Sequence, residues 1–166
     1  METNGTNSHT LSVYVANKPG VLARIAQVFA RRGFNIDSLV VSPSVDGHFS
    51  RMTLTTLGDR SGLDQIIKQV QKLVDVLQCI DHTDEDIVIK ELALIKVVIG
   101  SDRTEALQIA DHFGAKTVDL TEASIIFQIT GGSDKLDAMI KLLKKFKVVE
   151  LVRTGKVVMA RGEKPT

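Results

Sequence analysis

The turn Asn17-Lys18-Pro19-Gly20-Val21-Leu22 carries residue types suited to holding a small anion. A helix starting here would present unpaired N–H groups and a partial positive charge, which together favour a carboxylate. Pro19 suits the first helical position, and Gly20 lets the backbone come close to a ligand. Asn17 offers an amide donor and a carbonyl acceptor, so it can address the carboxylate or the ammonium group of an α-amino acid. The plain alternative is structural: Asn17 caps the helix and Gly20 makes a turn. A second segment, Gly33-Phe34-Asn35-Ile36-Asp37-Ser38-Leu39, leads from that helix into an expected edge strand. If two chains pair along that edge, Asn35 and Ile36 of one approach the Gly20 turn of the other, closing an interfacial site with a polar clamp and an apolar wall. Taken alone, the segment is a left-handed turn and a strand start.

Other chemistry is hard to assemble. His9, His48, His82 and His112 stand at no metal-ligand spacing, and no Cys or Glu cluster accompanies them. Neither a P-loop nor a Gly-x-Gly-x-x-Gly occurs, no Ser-His-Asp or Cys-His constellation is suggested, and Gly131-Gly132-Ser133-Asp134 has the form of a turn before a helix. The lone Cys79, within Val76-Leu77-Gln78-Cys79-Ile80, fits a small buried hydrophobe. Lys141, Lys144, Lys145 and Lys147 form either a solvated helix face or a docking surface for an acidic partner.

The elements that must position these residues follow from periodicity. Leu11, Val13 and Val15 alternate as on a strand, and Leu22, Ile25, Ala26 and Phe29 mark one face of a helix that Gly33 ends. Residues 36–42 and 49–57 flank the breaker run Pro43-Ser44-Val45-Asp46-Gly47 and predict a hairpin. A second helix carries Leu63, Ile66, Ile67, Val70 and Leu73, with Ser61 as its cap, and a strand covers 74–81. After the polar run His82-Thr83-Asp84-Glu85-Asp86 the order β-α-β-β-α-β repeats, through helices marked by Ala106, Ile109, Ala110 and Phe113 and by Leu136, Met139, Ile140 and Leu143. The expected fold class is α+β, two tandem ferredoxin-like βαββαβ units, each with two helices on one face of a four-stranded antiparallel sheet. The other face needs a cover, and a partner chain is the expected one. The expected organisation is a disordered N-terminus over 1–9, a first domain over 10–83 and a second over 84–162.

With a net charge of +1, no Trp and a single Tyr, the 166-residue chain lacks both the basic excess and the aromatic platforms of a nucleic-acid binder. No apolar run is long enough to span a membrane, and the polar first ten residues have no signal-peptide core, so a cytoplasmic protein is expected.

Three blocks in order, Asn17-Lys18-Pro19-Gly20-Val21-Leu22-Ala23-Arg24, Arg32-Gly33-Phe34-Asn35-Ile36-Asp37-Ser38-Leu39 and Ser50-Arg51-Met52-Thr53, closely resemble the small, regulatory subunit of acetolactate synthase (acetohydroxyacid synthase). The resemblance covers residues 11 to about 161, ending with Arg153-Thr154-Gly155-Lys156-Val157. It implies that the first domain is an ACT domain, the amino-acid-sensing version of the ferredoxin-like fold, and that the second helps to dimerise or dock. It also implies a non-enzymatic subunit that activates a catalytic partner and confers feedback inhibition by valine. Thiamine diphosphate, Mg²⁺ and FAD would belong to that partner, and this chain would hold no cofactor. The effector would lie between two ACT domains, on Asn17, Gly20, Val21 and Leu22 of one and Asn35 and Ile36 of the other. Two rivals stand beside it. An ACT-type sensor could act on another partner, although no helix-turn-helix accompanies these domains. An acylphosphatase-type hydrolase would need an Arg in the turn, whereas Arg24 follows Gly20 by a helical turn.

Overall fold

The computed structural model describes residues 7–166. Its chain divides into two compact units, one of residues up to Val88 together with Gly155–Thr166, the other Ile89–Thr154. The first contains β1 (Asn7–Ala16), α1 (Val21–Arg31), β2 (Ile36–Pro43), β3 (Phe49–Gly58), α2 (Arg60–Gln71) and β4 (Val76–Asp81). The order β2-β3-β1-β4 makes an antiparallel sheet in which β2 is an edge. The registers Leu11↔Leu54, Val13↔Met52 and Val13↔Cys79 place apolar side chains on one face, where Ile25 and Phe29 of α1 and Leu63, Ile66 and Val70 of α2 cover them. Burying each such side chain contributes roughly 1.5–3 kcal/mol, so the stripe on α1 holds it in place regardless of how weakly its ends are capped.

In the second unit, β5 (Ile87–Val98), α3 (Arg103–His112), β6 (Lys116–Leu120), β7 (Ser124–Gly131), α4 (Ser133–Leu143) and β8 (Lys147–Arg153) repeat the plan, with strand order β6-β7-β5-β8. Ile95, Phe127 and Ile129 meet Ala106, Ala110, Leu136 and Met139 in its core. Both units are therefore α+β sheets of the ferredoxin-like kind.

Several expectations need correction. The first strand begins at Asn7 and pairs with Gly58, and His9 is buried with its ring 3.1 Å from the Gly58 carbonyl; only residues 1–6 of the expected disordered segment lie outside the described residues. Ser61 is not the cap of α2. Asp59 is, its carboxylate accepting from Gly62 N at 2.8 Å. The strand expected over 74–81 starts at Val76, leaving Val74 exposed. Independently of the expected domain bounds, residues 84–88 and the C-terminal residues 155–166, which hold β9 (Val157–Ala160), cluster with the first unit. Gly155 lies so close to Ser38 on β2 that a Cβ there would meet the Ser38 side chain at 2.7 Å, so this chain itself supplies part of the cover expected from a partner.

Candidate functional site

The first βα turn is braced from the opposite hairpin. Asn17 N donates to the His48 carbonyl at 2.9 Å, and its side-chain amide donates to the Gly47 carbonyl at 3.0 Å. Gly47 in turn sits in a loop organised by Asp46, which accepts from the Ser44 hydroxyl and from His48 N at 3.1 Å. Those two bonds, the hydroxyl first, hold the Asp46 carboxyl below its usual range. Asn17 therefore does not cap α1. Nor does Pro19 open it: Gly20 is the cap position, in a left-handed conformation (φ 84°) that only glycine adopts without strain.

The start of α1 has no side-chain cap and no acidic residue in its first turn. Elsewhere, α2 has Asp59 as its cap, α3 has Glu105 in its first turn and α4 has Asp134. Val21 faces the core, with 3% of its surface exposed, and its N–H donates to the Lys18 carbonyl at 3.5 Å; Leu22, 40% exposed, is the apolar side chain that the turn presents.

Arg24 reaches where its sequence position did not place it. Its guanidinium folds back until Nη1 lies 3.3 Å from where a Cβ on Gly20 would stand, while Nη2 donates to Asp75 in the α2–β4 connection. Lys18 Nζ approaches the same carboxylate at 3.7 Å. The objection that the turn lacks a guanidinium thus does not hold.

The second segment is anchored by Phe34, whose ring lies against Gly58 and Gly62; a Cβ on Gly62 would meet it at 2.7 Å. Asn35 follows. Its carbonyl accepts from the Thr56 hydroxyl at 2.6 Å, and its amide donates to Asp37 at 2.9 Å. Ile36 packs on the core of its own unit, so within one chain it forms no open wall. A register shift between Ile36 and Ser38 sets Asp37 off the ladder at the start of the edge strand.

Two further groups bear on chemistry. Ser12 Oγ lies 2.7 Å from His82 Nε2, and His82 Nδ1 lies 2.6 Å from Glu85, a serine–histidine–carboxylate relay that no local motif announced. Its serine is buried mid-strand rather than presented at a cleft, and the relay ties the polar run 82–86 to the sheet. Cys79 is buried too, and burial pushes its thiol up to about 12, away from thiolate reactivity. Of the four clustered lysines, Lys145 is paired with Glu105.

Comparison with known proteins settles the family. A model described as the AHAS small subunit-like ACT domain matches residues 11–78, and one described as the small subunit of acetolactate synthase matches residues 90–162. The chain belongs to the acetolactate synthase small subunit family. Among its relatives, the probable acetolactate synthase small subunit of Archaeoglobus fulgidus is 44% identical over 157 residues, covering 94% of this chain and 98% of that one. The acetolactate synthase small subunit of Mycolicibacterium smegmatis is 40% identical over 161 residues, with 96% and 95% covered. The crystal structure of the acetolactate synthase small subunit from Thermotoga maritima superposes with a TM-score of 0.84 at 39% identity, covering 95% of this chain and 99% of that chain. The whole two-unit architecture, and not the ACT domain alone, is that of acetolactate synthase small subunits. Among the described residues, no helix is long and apolar enough to cross a membrane.

Proposed function

We propose that this chain is the regulatory, non-catalytic subunit that activates the acetolactate synthase catalytic subunit and confers feedback inhibition by valine in the cytoplasm. Two copies pair through their ACT domains, expected over residues 10–83, along the edge strand β2. The effector lies between them, with Asn17, Gly20, Val21 and Leu22 of one copy holding its head group and Asn35 and Ile36 of the other closing over it. The catalytic partner carries thiamine diphosphate, Mg²⁺ and FAD. The observation that carries the effector site is the start of α1, which no side chain caps and no first-turn carboxylate neutralises. Its N–H groups and dipole suit an α-carboxylate, and the exposed Leu22 beside them suits an aliphatic side chain.

Regulation then needs no chemistry in this chain. Valine that binds one arrangement of the complex better than another shifts the populations by that difference in affinity, and a coupling of about 1–3 kcal/mol changes affinity roughly 5- to 150-fold. One methylene in an apolar pocket contributes about 1–3 kcal/mol, so leucine and isoleucine are the informative competitors.

The test is calorimetric titration of the purified chain with valine, leucine, isoleucine and lysine, followed by reconstitution with the catalytic subunit. Saturable valine binding that Asn17→Ala weakens, together with valine-sensitive activation, is the expected result. A folded dimer that binds none of these, or substantial turnover of an acyl phosphate by the chain alone, would overturn the reading.

A further inference from the structure

Asp75 is a carboxylate whose side chain is largely buried beside the Gly20 turn, reached from the α2–β4 connection 51 residues away along the chain. Its backbone is fixed, since the Asp75 carbonyl accepts from Ala16 N at 2.8 Å at the end of β1. Its side chain gathers two cations that frame the turn, Lys18 before Gly20 and Arg24 after it. Arg24 spends Nη2 on Asp75, and Nη1 faces the Gly20 backbone, with no protein acceptor among the described residues. A guanidinium has five donors in a rigid fork, so one edge can rest on Asp75 while the other addresses a second carboxylate. An unanchored arginine on the first turn of a helix would instead sample many rotamers, and ordering it on binding would cost affinity.

We propose that Arg24 is a head-group binding residue that donates to the effector's carboxylate, and that Asp75 is the positioning residue that holds its guanidinium over Gly20. This rests on the effector site proposed above. It adds a charged element to a site otherwise made of backbone and amide groups, and it makes recognition depend on the carboxylate rather than on the aliphatic side chain alone.

The probes are valine and valinamide, which lacks the carboxylate, titrated into the wild-type chain and the Arg24→Gln, Arg24→Lys and Asp75→Asn variants and the Arg24→Gln/Asp75→Asn double variant, with melting temperature checking that each is folded. A lost hydrogen bond to a charged group corresponds to about tenfold or more in affinity, so Arg24→Gln weakens valine by that factor and leaves valinamide unmoved. Asp75→Asn weakens valine by a smaller factor, and the double variant binds no worse than Arg24→Gln alone, because the second substitution removes a support for something already gone. Arg24→Lys, which keeps the charge but not the fork, recovers only part. Wild-type affinity in Arg24→Gln, equal losses for valine and valinamide, or additive losses in the double variant would overturn the proposal. Amide hydrogen exchange of residues 18–24 in the free chain separates it from the reading it rests on. Faster exchange in Asp75→Asn, in a chain that binds no valine, supports the positioning role and removes the effector role. Unchanged exchange overturns the positioning role whether or not valine binds.

Discussion

The first βα turn of each unit occupies the same place in the same fold, yet the two are built with opposite charge. In the first unit α1 begins at a left-handed Gly20, with no cap and no first-turn acid, and with Lys18 and Arg24 alongside. In the second, α3 begins at Asp102, Ser101 donates to Asp102 at 3.2 Å, and Glu105 lies in the first turn. A helix N-terminus favours negative charge wherever it occurs. The second unit meets that preference with Glu105, although Asp102 makes no side-chain cap bond either; the first has no first-turn acid, and there the proposed effector's carboxylate would supply the charge. The same architecture therefore need not carry the same function: the first turn keeps an acid-free helix start where the effector is proposed to bind, and the second has an acid in that place.

The comparison breaks most completely if the first turn is made to resemble the second. Gly20→Asp puts a carboxylate where the effector's carboxylate is proposed to lie and forces a side chain into a left-handed conformation. Calorimetry should show valine affinity reduced by about 100-fold or more, from like-charge opposition at a site proposed to take an anion. The strain adds a stability loss of about 1–2 kcal/mol, read from urea unfolding. Retained valine binding in a folded Gly20→Asp chain would place the effector elsewhere.

The units also differ in how they tie buried polar groups. The second uses an ionic knot: Glu91, nearly fully buried, accepts from Arg153 Nε at 2.9 Å and Nη2 at 2.6 Å and from the Ser133 hydroxyl at 2.5 Å, while Arg153 also reaches Asp137. The first uses the Ser12–His82 bond. Glu91→Ala leaves three donor groups without their partner and should cost about 2 kcal/mol in urea unfolding; Ser12→Ala, which removes one bond to a histidine ring, should cost about 1 kcal/mol. Equal losses would mean that the partly exposed Arg153 is rescued by water.

A smaller effect tests the helix caps directly. Asp59→Ala removes the side chain that accepts from Gly62 N and should cost about 1 kcal/mol in urea unfolding, while removing no contact proposed to the effector. Here the sequence pattern was ambiguous. Asp59 and Ser61 are both good cap types two residues apart, and only backbone geometry chooses between them. The doubled β-α-β-β-α-β order was legible because its strands alternate and its helices keep a 3.6-residue apolar stripe, as at Ile25 and Phe29, although Leu22, read on that stripe, is exposed and Val21 takes the buried place. The Gly20 turn and the edge position of β2 were legible for the same reason. What was not legible depends on distant partners. Arg24 points at Gly20 because Asp75 holds it, Ser12 is buried against His82, and polar Asn7 extends β1 because it pairs with Gly58. The grouping of residues 155–166 with the first unit is likewise a contact between remote parts of the chain, invisible to any local period.

The finest probe of the comparison runs in the opposite direction. Glu105→Gln removes the first-turn charge of α3 and its pairing with Lys145, both at the surface. If the carboxylates of the second turn merely neutralise a helix start, the loss should be about 0.3–1 kcal/mol at low salt and shrink toward zero as salt screens the dipole and the pair. Valine titration should show the same number of sites and the same affinity as the wild type, because removing one charge does not recreate the left-handed glycine, the braced asparagine or the anchored arginine of the first turn. A second valine site in the Glu105→Gln chain would show instead that charge alone separates the two turns and that the geometry around Gly20 is dispensable.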